Sequence, residues 1–396
     1  MPRKTKKTSI INSIGIDLSI GKVKICMLSI EVETKKVIGA WSSLPVPFEY
    51  ISEKNYNFSN NLFVAIDAFL KHHKKEVEEI DSVVFCSGGA YYMFPSFIEG
   101  LRYTAGALKM IFPKQKVFFI RCDTDLLPIN DIFDLPDEDG ASYCNTNFLG
   151  TSLLAKRLFN DGLAIDMGTI STSIIPIIHG EIDPIVRNNP NGYTQHRYAT
   201  GKHIWFGAMH TQLDHITHVA RTRKAEYPLI LRACNTNVLC SILGLLDSYE
   251  ADRHVADYNK IPDMETAFIR LAETIGMDIN SISRLELFDI AADIYDQMKY
   301  RLSKIIRTIL TNTNYKDFDE LRVLSAGLGQ SAFIIPALNA CGFYEEQIIT
   351  LAEDKESTLW SATSVYGLAI LGAEKLLGDK IPMNFETSDG NTFTIN

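Results

Sequence analysis

The chain has 396 residues, of which 46% are hydrophobic and 22% charged, and its formal net charge is −9. This length predicts two to three domains of about 150 residues each. The composition is that of a globular protein and excludes a disordered or collagen-like chain. The acidic balance argues against general binding of nucleic acid, whose phosphates require a basic footprint. The basic segment Met1–Lys7 predicts a solvated tail.

Segments typical of membrane, secreted or zinc-binding proteins are not found. The longest mostly apolar stretch, Ala362–Ala373, is shorter than the roughly 20 residues of a membrane-spanning helix. The basic N-terminus is not followed by an apolar segment with a cleavage site. The seven cysteines form no Cys-x-x-Cys pair and predict reduced, mostly buried thiols. We therefore expect a cytoplasmic protein without membrane or nucleic-acid partners.

The first part of the chain alternates strand and helix patterns. Runs of β-branched residues between short polar turns predict an antiparallel meander over residues 13–41. Apolar residues at helical spacing predict a helix over Phe58–Glu79. Buried strands are expected at Ile80–Phe85, before Ser87-Gly88-Gly89, and at Val117–Ile120. This alternation predicts a layered α/β domain.

The second half of the chain shows the same alternation. Two strand patterns surround a turn of small residues from Leu163 onward, and Asn188–Gly192 predicts an exposed loop. The elements predicted after this loop are helices over Thr266–Met277 and Leu285–Leu310, a strand with a Gly-rich turn over Leu321–Gly329, and helices over Ala332–Ala340 and Thr358–Leu377.

One strand-turn-strand pattern occurs twice. Ile14–Asp17 is an apolar strand that ends in Asp and enters a turn containing Gly21. Leu163–Asp166 has the same form, with Asp166 lying 149 positions after Asp17. The spacing fits two related domains, and two such domains facing each other would bring both turns to one cleft.

Both turns carry groups that suit a phosphate ligand. Backbone N–H groups and hydroxyls of a Gly-, Ser- and Thr-rich turn can bind phosphate, and an Asp can hold hydrated Mg²⁺ beside it. Lys24 adds a positive charge. For either turn alone, an Asp that caps a tight turn is the simpler interpretation. The two copies, together with a third turn at Gly327–Gly329, favour a phosphate site.

The three turns resemble the motifs of the actin, sugar kinase and heat-shock ATPase superfamily. Asp17–Lys24 resembles its first phosphate motif, Asp166–Thr172 the second, and Ser325–Gly329 the adenosine motif. The resemblance implies an α/β, two-lobed actin-like ATPase (ribonuclease H-like) fold with duplicated domains around a central cleft. It also implies boundaries, which are a first lobe at 12–160, a second lobe at 161–355, a C-terminal helix at 356–377 that returns to the first lobe, and peripheral tails at 1–11 and 378–396.

Several segments more narrowly resemble the hydantoinase/oxoprolinase-like family, and within it the tetrahydromethanopterin-linked one-carbon-transfer members. These segments are Asn147–Ser152, Asp166–Ile177, Arg197–Gly207, Leu245–Tyr249, Ala256-Asp257 and Arg270–Asp278. The resemblance covers residues 12–376 and implies a transferase of methanofuran-type cofactor biosynthesis. Such an enzyme joins a furanylmethyl diphosphate to the phenol oxygen of γ-glutamyltyramine and releases diphosphate.

The chain departs from the family pattern in its polar groups. The first turn keeps one Gly and lacks an Asn-Thr pair, Ser173 stands where the family has Asp, and Ser87-Gly88-Gly89 replaces a Thr-Gly-Glu element. The fold inference does not depend on these groups. The reaction inference does, because a lost carboxylate removes a metal ligand or a base.

The resemblance implies roles for the residues of the three turns. The implied catalytic residues are Asp17, Lys24 and Asp166, with Mg²⁺ between the two carboxylates and ATP as a further candidate ligand. The implied phosphate- and cofactor-binding residues are Ser19, Gly21, Gly168, Thr169, Ser171, Thr172, Ser173, Gly327 and Gly329. Further substrate candidates are Ser87, Gly88, Arg197 and Trp205. Surface ion pairing is the simpler interpretation of Arg197, and core packing is that of Trp205.

Other polar residues suggest no defined site. Asp247 and Asp257 are candidate bases by resemblance, and helix capping explains each more simply. The histidines at 203, 210, 215 and 218 lack a carboxylate or Cys pattern and predict a solvated helix face rather than a metal site.

Three other functions stay open. An ATP-dependent kinase or ring-opening enzyme of the superfamily would use the same turns. An actin-like nucleotide switch that polymerises also fits Asp17–Lys24 and Pro176–Gly180. The lost polar groups fit a non-catalytic binding protein. The expected ligand is a small phosphorylated molecule, and formation of a homo-oligomer is left open.

Overall fold

A computed structural model describes residues 9–19, 22–42, 46–47, 58–88, 94–230, 234–247, 260–313, 315–350, 362–386 and 392–395. The chain divides into two compact units. The first unit consists of residues 1–160, 179–196 and 350–396, and the second of residues 161–178 and 197–349.

Strands and helices alternate along the chain. The strands are β1 (Ile10–Ser19), β2 (Lys22–Glu31), β3 (Lys36–Ser42), β4 (Val46–Pro47), β5 (Ser82–Gly88), β6 (Lys116–Ile120), β7 (Leu126–Pro128), β8 (Gly162–Met167), β9 (Thr172–Ile178), β10 (Glu181–Ile182), β11 (His203–Ile204), β12 (Val219–Arg221), β13 (Glu226–Pro228), β14 (Arg322–Ala326), β15 (Ile348–Thr350), β16 (Met383–Glu386) and β17 (Thr392–Ile395). The α-helices are α1 (Phe58–His72), α2 (Phe97–Ile111), α3 (Phe148–Leu158), α4 (Tyr193–Ala199), α5 (Leu213–Ile216), α6 (Thr236–Leu243), α7 (Met264–Thr274), α8 (Arg284–Thr313), α9 (Ile335–Cys341) and α10 (Thr363–Leu377).

The first unit is built on one mixed sheet with the strand order β3-β2-β1-β5-β6-β7 and with β4 paired to β2. β1, β2 and β3 pair antiparallel, which confirms the predicted meander. β1, β5 and β6 pair parallel. β1 is buried from Asn12 to Leu18, as expected for a central strand that is covered on both faces.

Helix α10 packs directly against β1 and α3 because glycines allow close approach. A Cβ on Gly15 of β1 would lie 2.0 Å from the Val365 carbonyl oxygen, and one on Gly150 of α3 would lie 1.6 Å from that of Ser364. Gly367 of α10 faces Gly150 in return, with 2.2 Å to its carbonyl oxygen. The C-terminal helix therefore belongs to the core of the first unit.

The second unit contains the sheet segment β9-β8-β14-β15, with β11 paired to β9. β8 pairs antiparallel with β9 and parallel with β14. β1 has the same neighbours in the first sheet, namely an antiparallel β2 and a parallel β5. The two units thus repeat one topology, and the prediction of a duplicated α/β fold of actin-like (ribonuclease H-like) type is confirmed.

Helix boundaries differ from the predicted ones where local geometry intervenes. The helix predicted over Phe58–Glu79 ends at His72, where Lys74 adopts a left-handed φ of 52° and a separate 3₁₀ turn, Val77–Glu79, follows. The helix predicted over Ala332–Ala340 opens with a π-helical turn at Gln330–Ile334. α3 lies outside the predicted helices because it is buried from Phe148 to Ala155 and has no apolar stripe to recognise.

The described helices are each too short or too polar to cross a lipid bilayer. The cysteines behave as expected from their scatter along the chain, because six of the seven are buried and Cys341 is half-buried.

Candidate functional site

The first hairpin places Asp17 in a buried polar setting. Asp17 lies opposite Lys24 of β2 and beside Cys86 of β5. Asp17 is 1% exposed and Lys24 is 7% exposed. The Ser19 hydroxyl donates a hydrogen bond to Asp17 Oδ1 at 2.9 Å, and the Ser364 hydroxyl of α10 lies 3.5 Å from Oδ2. The structure therefore brings the predicted Asp17, Ser19 and Lys24 together and adds Ser364.

The parallel strand β5 supplies the other neighbours of this hairpin. Burial, and then the charge of Asp17, raise the pKa of the Cys86 thiol well above its ordinary value, so this thiol stays protonated. The predicted Ser87 is fully buried, and its hydroxyl has no hydrogen-bond partner among the described residues. Gly88 ends β5, and the predicted Gly21 lies outside the described residues.

The second hairpin joins β8 to β9 by a short turn. The Gly168 amide donates to the Ser171 carbonyl at 2.9 Å and closes the turn. The Ala208 amide donates to the Gly168 carbonyl at 2.9 Å, and the Thr172 hydroxyl donates to the Phe206 carbonyl. The segment at 206–210 thus holds the turn through hydrogen bonds to backbone carbonyls of the turn and from the Thr172 hydroxyl.

Three consecutive backbone amides belong to this turn, and Gly207 packs closely on the middle one, since a Cβ on Gly207 would lie 2.4 Å from the Ile170 nitrogen. The N–H groups of Thr169, Ile170 and Ser171 have no acceptor within the described part of the chain. Successive backbone N–H groups in a turn form a concavity that binds anions. Asp166 is half-buried and lies three to five residues before these amides in the chain. The turn is therefore a candidate anion site that follows a carboxylate closely in the chain.

The Gly-rich turn after β14 lies against the same hairpin. Gly327 has a φ of +87°, and a Cβ there would lie 2.5 Å from Asp166 Oδ1. The Gly329 amide donates to the Met167 carbonyl at 3.0 Å. Within the second unit, the predicted second phosphate motif and the predicted adenosine motif are therefore in contact.

Two polar groups near this turn were not named as ligand-binding residues, although Ser325 opens the predicted adenosine motif. Ser325 Oγ and Gln330 Oε1 are buried and have no hydrogen-bond partner among the described residues. A buried polar atom without a partner costs about 1–3 kcal/mol, so a ligand or water that satisfies these atoms would be favoured. The signal in the sequence is their position on either side of Gly327–Gly329.

Ser173 belongs to a buried cluster with Arg197 and His203. The Arg197 guanidinium donates to Ser173 Oγ at 2.8 Å and lies 3.3 Å from His203 Nδ1. Because a guanidinium can only donate, Nδ1 is the acceptor and the imidazole proton resides on Nε2. Burial, and then the positive charge of Arg197, lower the pKa of His203 to about 3. His203 is therefore neutral near pH 7.

The positions of Arg197 and Trp205 reverse the simpler interpretations of both. Arg197 is 1% exposed and therefore lies in the interior rather than at the surface, whereas Trp205 is 46% exposed and lies outside the core. Tyr198 and Trp205 stack with ring centroids 6.2 Å apart, and His203 contacts both rings edge-on. The result is an exposed aromatic surface next to a buried cation.

The histidine group does not form one helix face, contrary to expectation. His203 lies buried in β11, His215 lies exposed in α5, and His218 lies exposed after α5. Among the described residues, no three His, Cys, Asp or Glu side chains converge as metal ligands. Asp247 is exposed, and Asp257 lies outside the described residues.

Neither a protein-family model nor a curated protein sequence matches the chain. Among solved structures, nucleotide-free acetone carboxylase is 12% identical with a TM-score of 0.45, over 81% of this chain and 46% of that one. The chain thus spans about half the length of that protein.

Two other solved structures resemble the chain over most of its length. (R)-2-hydroxyglutaryl-CoA dehydratase component A of Acidaminococcus fermentans is 13% identical, with a TM-score of 0.40 over 93% of this chain and 100% of that one. The ethanolamine utilization protein EutJ of Carboxydothermus hydrogenoformans is 11% identical, with a TM-score of 0.41 over 91% and 90%. Because these TM-scores and that of acetone carboxylase are below 0.5, the fold is assigned from the strand order of the two sheets.

Proposed function

We propose that the chain is an ATP-dependent enzyme that binds the phosphates of Mg²⁺-ATP at the turn between β8 and β9. The observation that carries this proposal is the row of three backbone amides, Thr169–Ser171, without acceptors in the described part of the chain. The contact between Gly327 and Asp166 supports a nucleotide in particular, because it joins the phosphate turn to the turn expected for adenosine.

The residues present suit the chemistry of Mg²⁺. This ion is usually held by one or two carboxylates together with waters and substrate phosphates, and it neutralises charge on those phosphates. Asp166 is a half-buried carboxylate that lies three residues before the first of these amides in the chain, so it is the candidate ligand.

The turn itself would supply the main catalytic effect of this chain. Backbone amides fixed by hydrogen bonds of Gly168 and its neighbours need no reorganisation when negative charge develops on a transferred phosphoryl group. Such preorganised donors are usually the largest electrostatic contribution to catalysis. The buried Ser325 and Gln330 oxygens would accept hydrogen bonds from the bound nucleotide.

The test is binding of Mg²⁺-ATP by the full chain. We expect a thermal shift that corresponds to about 2.7 kcal/mol at a hundredfold excess over Kd. Asp166→Asn should weaken binding at least tenfold. Asp289→Asn removes the same charge from the exposed surface of α8 and should bind as the wild type does. Absence of a shift in the wild type, or equal binding by the Asp166 variant, would refute the proposal. Release of phosphate from ATP would then distinguish an enzyme from a binding protein.

A second candidate is the more specific transferase activity implied by the sequence resemblance. In it, the bond between the furanylmethyl carbon and diphosphate breaks, diphosphate keeps the electron pair, and the phenol oxygen of γ-glutamyltyramine forms the new bond as its proton leaves. The exposed Trp205–Tyr198 stack beside the buried Arg197 favours an aromatic ligand in this unit.

Ligand choice separates the two candidates. Furanylmethyl diphosphate with Mg²⁺ should stabilise the chain and quench Trp205 fluorescence if the transferase is correct, and Mg²⁺-ATP should do so less. The opposite preference supports the kinase-like activity. Sedimentation of the chain with and without ATP tests the filament alternative, which requires ATP-promoted assembly.

A further inference from the structure

A cavity lies within the first unit. It has a volume of about 400 Å³ and lies between α3, α10 and the turn at Gly180. This volume falls in the range of small-molecule pockets. One wall is apolar and consists of Leu153, Leu154, Ile370 and Leu371. The polar lining consists of Lys156, Arg157, Asn160, Glu374 and Lys380.

The polar lining carries excess positive charge. It contains three cations and one carboxylate, Glu374. That carboxylate is already engaged, because it pairs with Arg157 and accepts a hydrogen bond from the Ile381 amide at 2.8 Å. Among the described residues, neither Lys156 nor Lys380 has a carboxylate within 4.0 Å. Two positive charges therefore face the cavity without a direct counter-ion.

These charges affect the protonation of Lys156, near the end of α3. Burial, and then the charges of Lys380, Arg157 and Arg187, lower the pKa of Lys156. The one carboxylate that opposes this effect, Glu181, is bound to Arg187 at 3.0 Å. Such convergence is unusual in a chain whose net charge is −9. An anion in the cavity would remove the repulsion among these cations.

We propose that this cavity binds a small phosphate monoester with a short apolar tail. The two lysines without a direct counter-ion match the two charges of a phosphate head group, and lysines bind phosphate as point charges. The wall of Leu153, Ile370 and Leu371 would cover the tail. The site shares no residue with the turn of Thr169–Ser171, so it is separate from the proposed nucleotide site.

The test uses hexyl phosphate titrated calorimetrically into the full chain. The wild type should bind one equivalent. The double variant Lys156→Gln/Lys380→Gln should bind at least tenfold more weakly with an unchanged melting temperature. Lys375→Gln removes one charge from the exposed face of the same helix, α10, and should bind as the wild type does. Hexanol and inorganic phosphate should each bind more weakly than hexyl phosphate, because hexanol lacks the phosphate group and inorganic phosphate lacks the apolar tail.

Two results would overturn the proposal. One is the absence of hexyl phosphate binding by the wild type. The other is binding that survives in the Lys156→Gln/Lys380→Gln variant and is lost in Asp166→Asn, which would assign the phosphate to the turn between β8 and β9. If Asp166→Asn still binds hexyl phosphate, the ligand occupies this cavity and not the proposed nucleotide site.

Discussion

Asp17 and Asp166 occupy equivalent places in two sheets of the same topology, but their surroundings differ. Asp17 is 1% exposed and faces Lys24, whereas Asp166 is half-buried and lies opposite Ser173. A positive group near the second hairpin is Arg197, which donates to Ser173 from helix α4 rather than from the paired strand. The duplicated backbone is thus kept while its charged side chains are rearranged.

The source of the polar contacts also differs between the hairpins. The first hairpin receives hydroxyls from side chains, and one of them, Ser364, comes from a helix near the end of the chain. The second hairpin offers backbone amides at Thr169–Ser171 and backbone contact at Gly327. Because backbone groups do not depend on residue type, the amides of the second hairpin would be present whichever side chain occupied position 173.

The largest loss of stability is expected when the contact between α3 and α10 is broken, because α10 supplies Ser364 to the first hairpin. Gly150→Ala would place a Cβ 1.6 Å from the Ser364 carbonyl oxygen, so α10 must move away from α3. We expect the free energy of unfolding to fall by about 3 kcal/mol or more, at or beyond the upper end of common overpacking costs. Urea unfolding measures it.

The matched control is Gly106→Ala in α2. A Cβ at Gly106 meets nothing within 4 Å, and alanine is favoured over glycine in a helix by up to about 1 kcal/mol. This variant should therefore be as stable as the wild type or more stable. Equal losses in both variants would show that the close approach of α10 does not support the first unit.

The second prediction addresses the hairpin with the available amides. Gly327→Ala combines a φ of +87° with a Cβ 2.5 Å from Asp166 Oδ1. We expect Mg²⁺-ATP to bind at least tenfold more weakly, a change of about 1.4 kcal/mol. Gly342→Ala introduces similar backbone strain at a φ of +96° with nothing within 4 Å. If the Gly342 variant weakens binding equally in calorimetry, strain rather than contact with Asp166 explains the loss.

The third prediction concerns pH and the buried cluster behind the second hairpin. The pKa of His203 is about 3 in the folded chain and near 6.5 when unfolded. Below pH 6.5 the unfolded chain binds a proton that the folded chain does not. The free energy of unfolding therefore falls with falling pH, by up to about 1.4 kcal/mol per unit, and this contribution is complete above pH 6.5.

Urea unfolding at pH 7.0 and 5.5 checks this dependence. The wild type should lose about 1 kcal/mol more than His203→Gln over this interval. His215→Gln, which removes an exposed histidine of the same unit, should lose as much as the wild type. A wild-type slope that persists in His203→Gln would place the titration elsewhere.

The smallest effect on stability is expected at Trp205. Because this side chain is 46% exposed, Trp205→Ala should reduce the free energy of unfolding by about 1 kcal/mol or less. The more informative measurement on this variant is its affinity for the two candidate ligands. Binding of furanylmethyl diphosphate should weaken while that of Mg²⁺-ATP at the turn stays the same, and calorimetry of both ligands measures the difference.

The sequence predicted which residues lie together within one hairpin, but it did not predict contacts between elements that are distant in the chain. Asp17, Ser19 and Lys24 are predicted together and lie together, because two strands and one turn determine their positions. Ser364 is not predictable in the same way, since 347 positions separate it from Asp17. Its contact depends on the packing of α10 rather than on any local pattern.

Sequence alone determined the strand-turn-strand repeat, the meander and the turns that carry the candidate site, because alternation, β-branching and small turn residues act over a few positions. Tertiary structure decided which way the polar groups face. It buried Arg197, exposed Trp205 and placed the Asp166 carboxylate against Gly327. Those outcomes depend on the pairing of β11 with β9 and of β14 with β8, which join residues distant in the chain and leave no local signal.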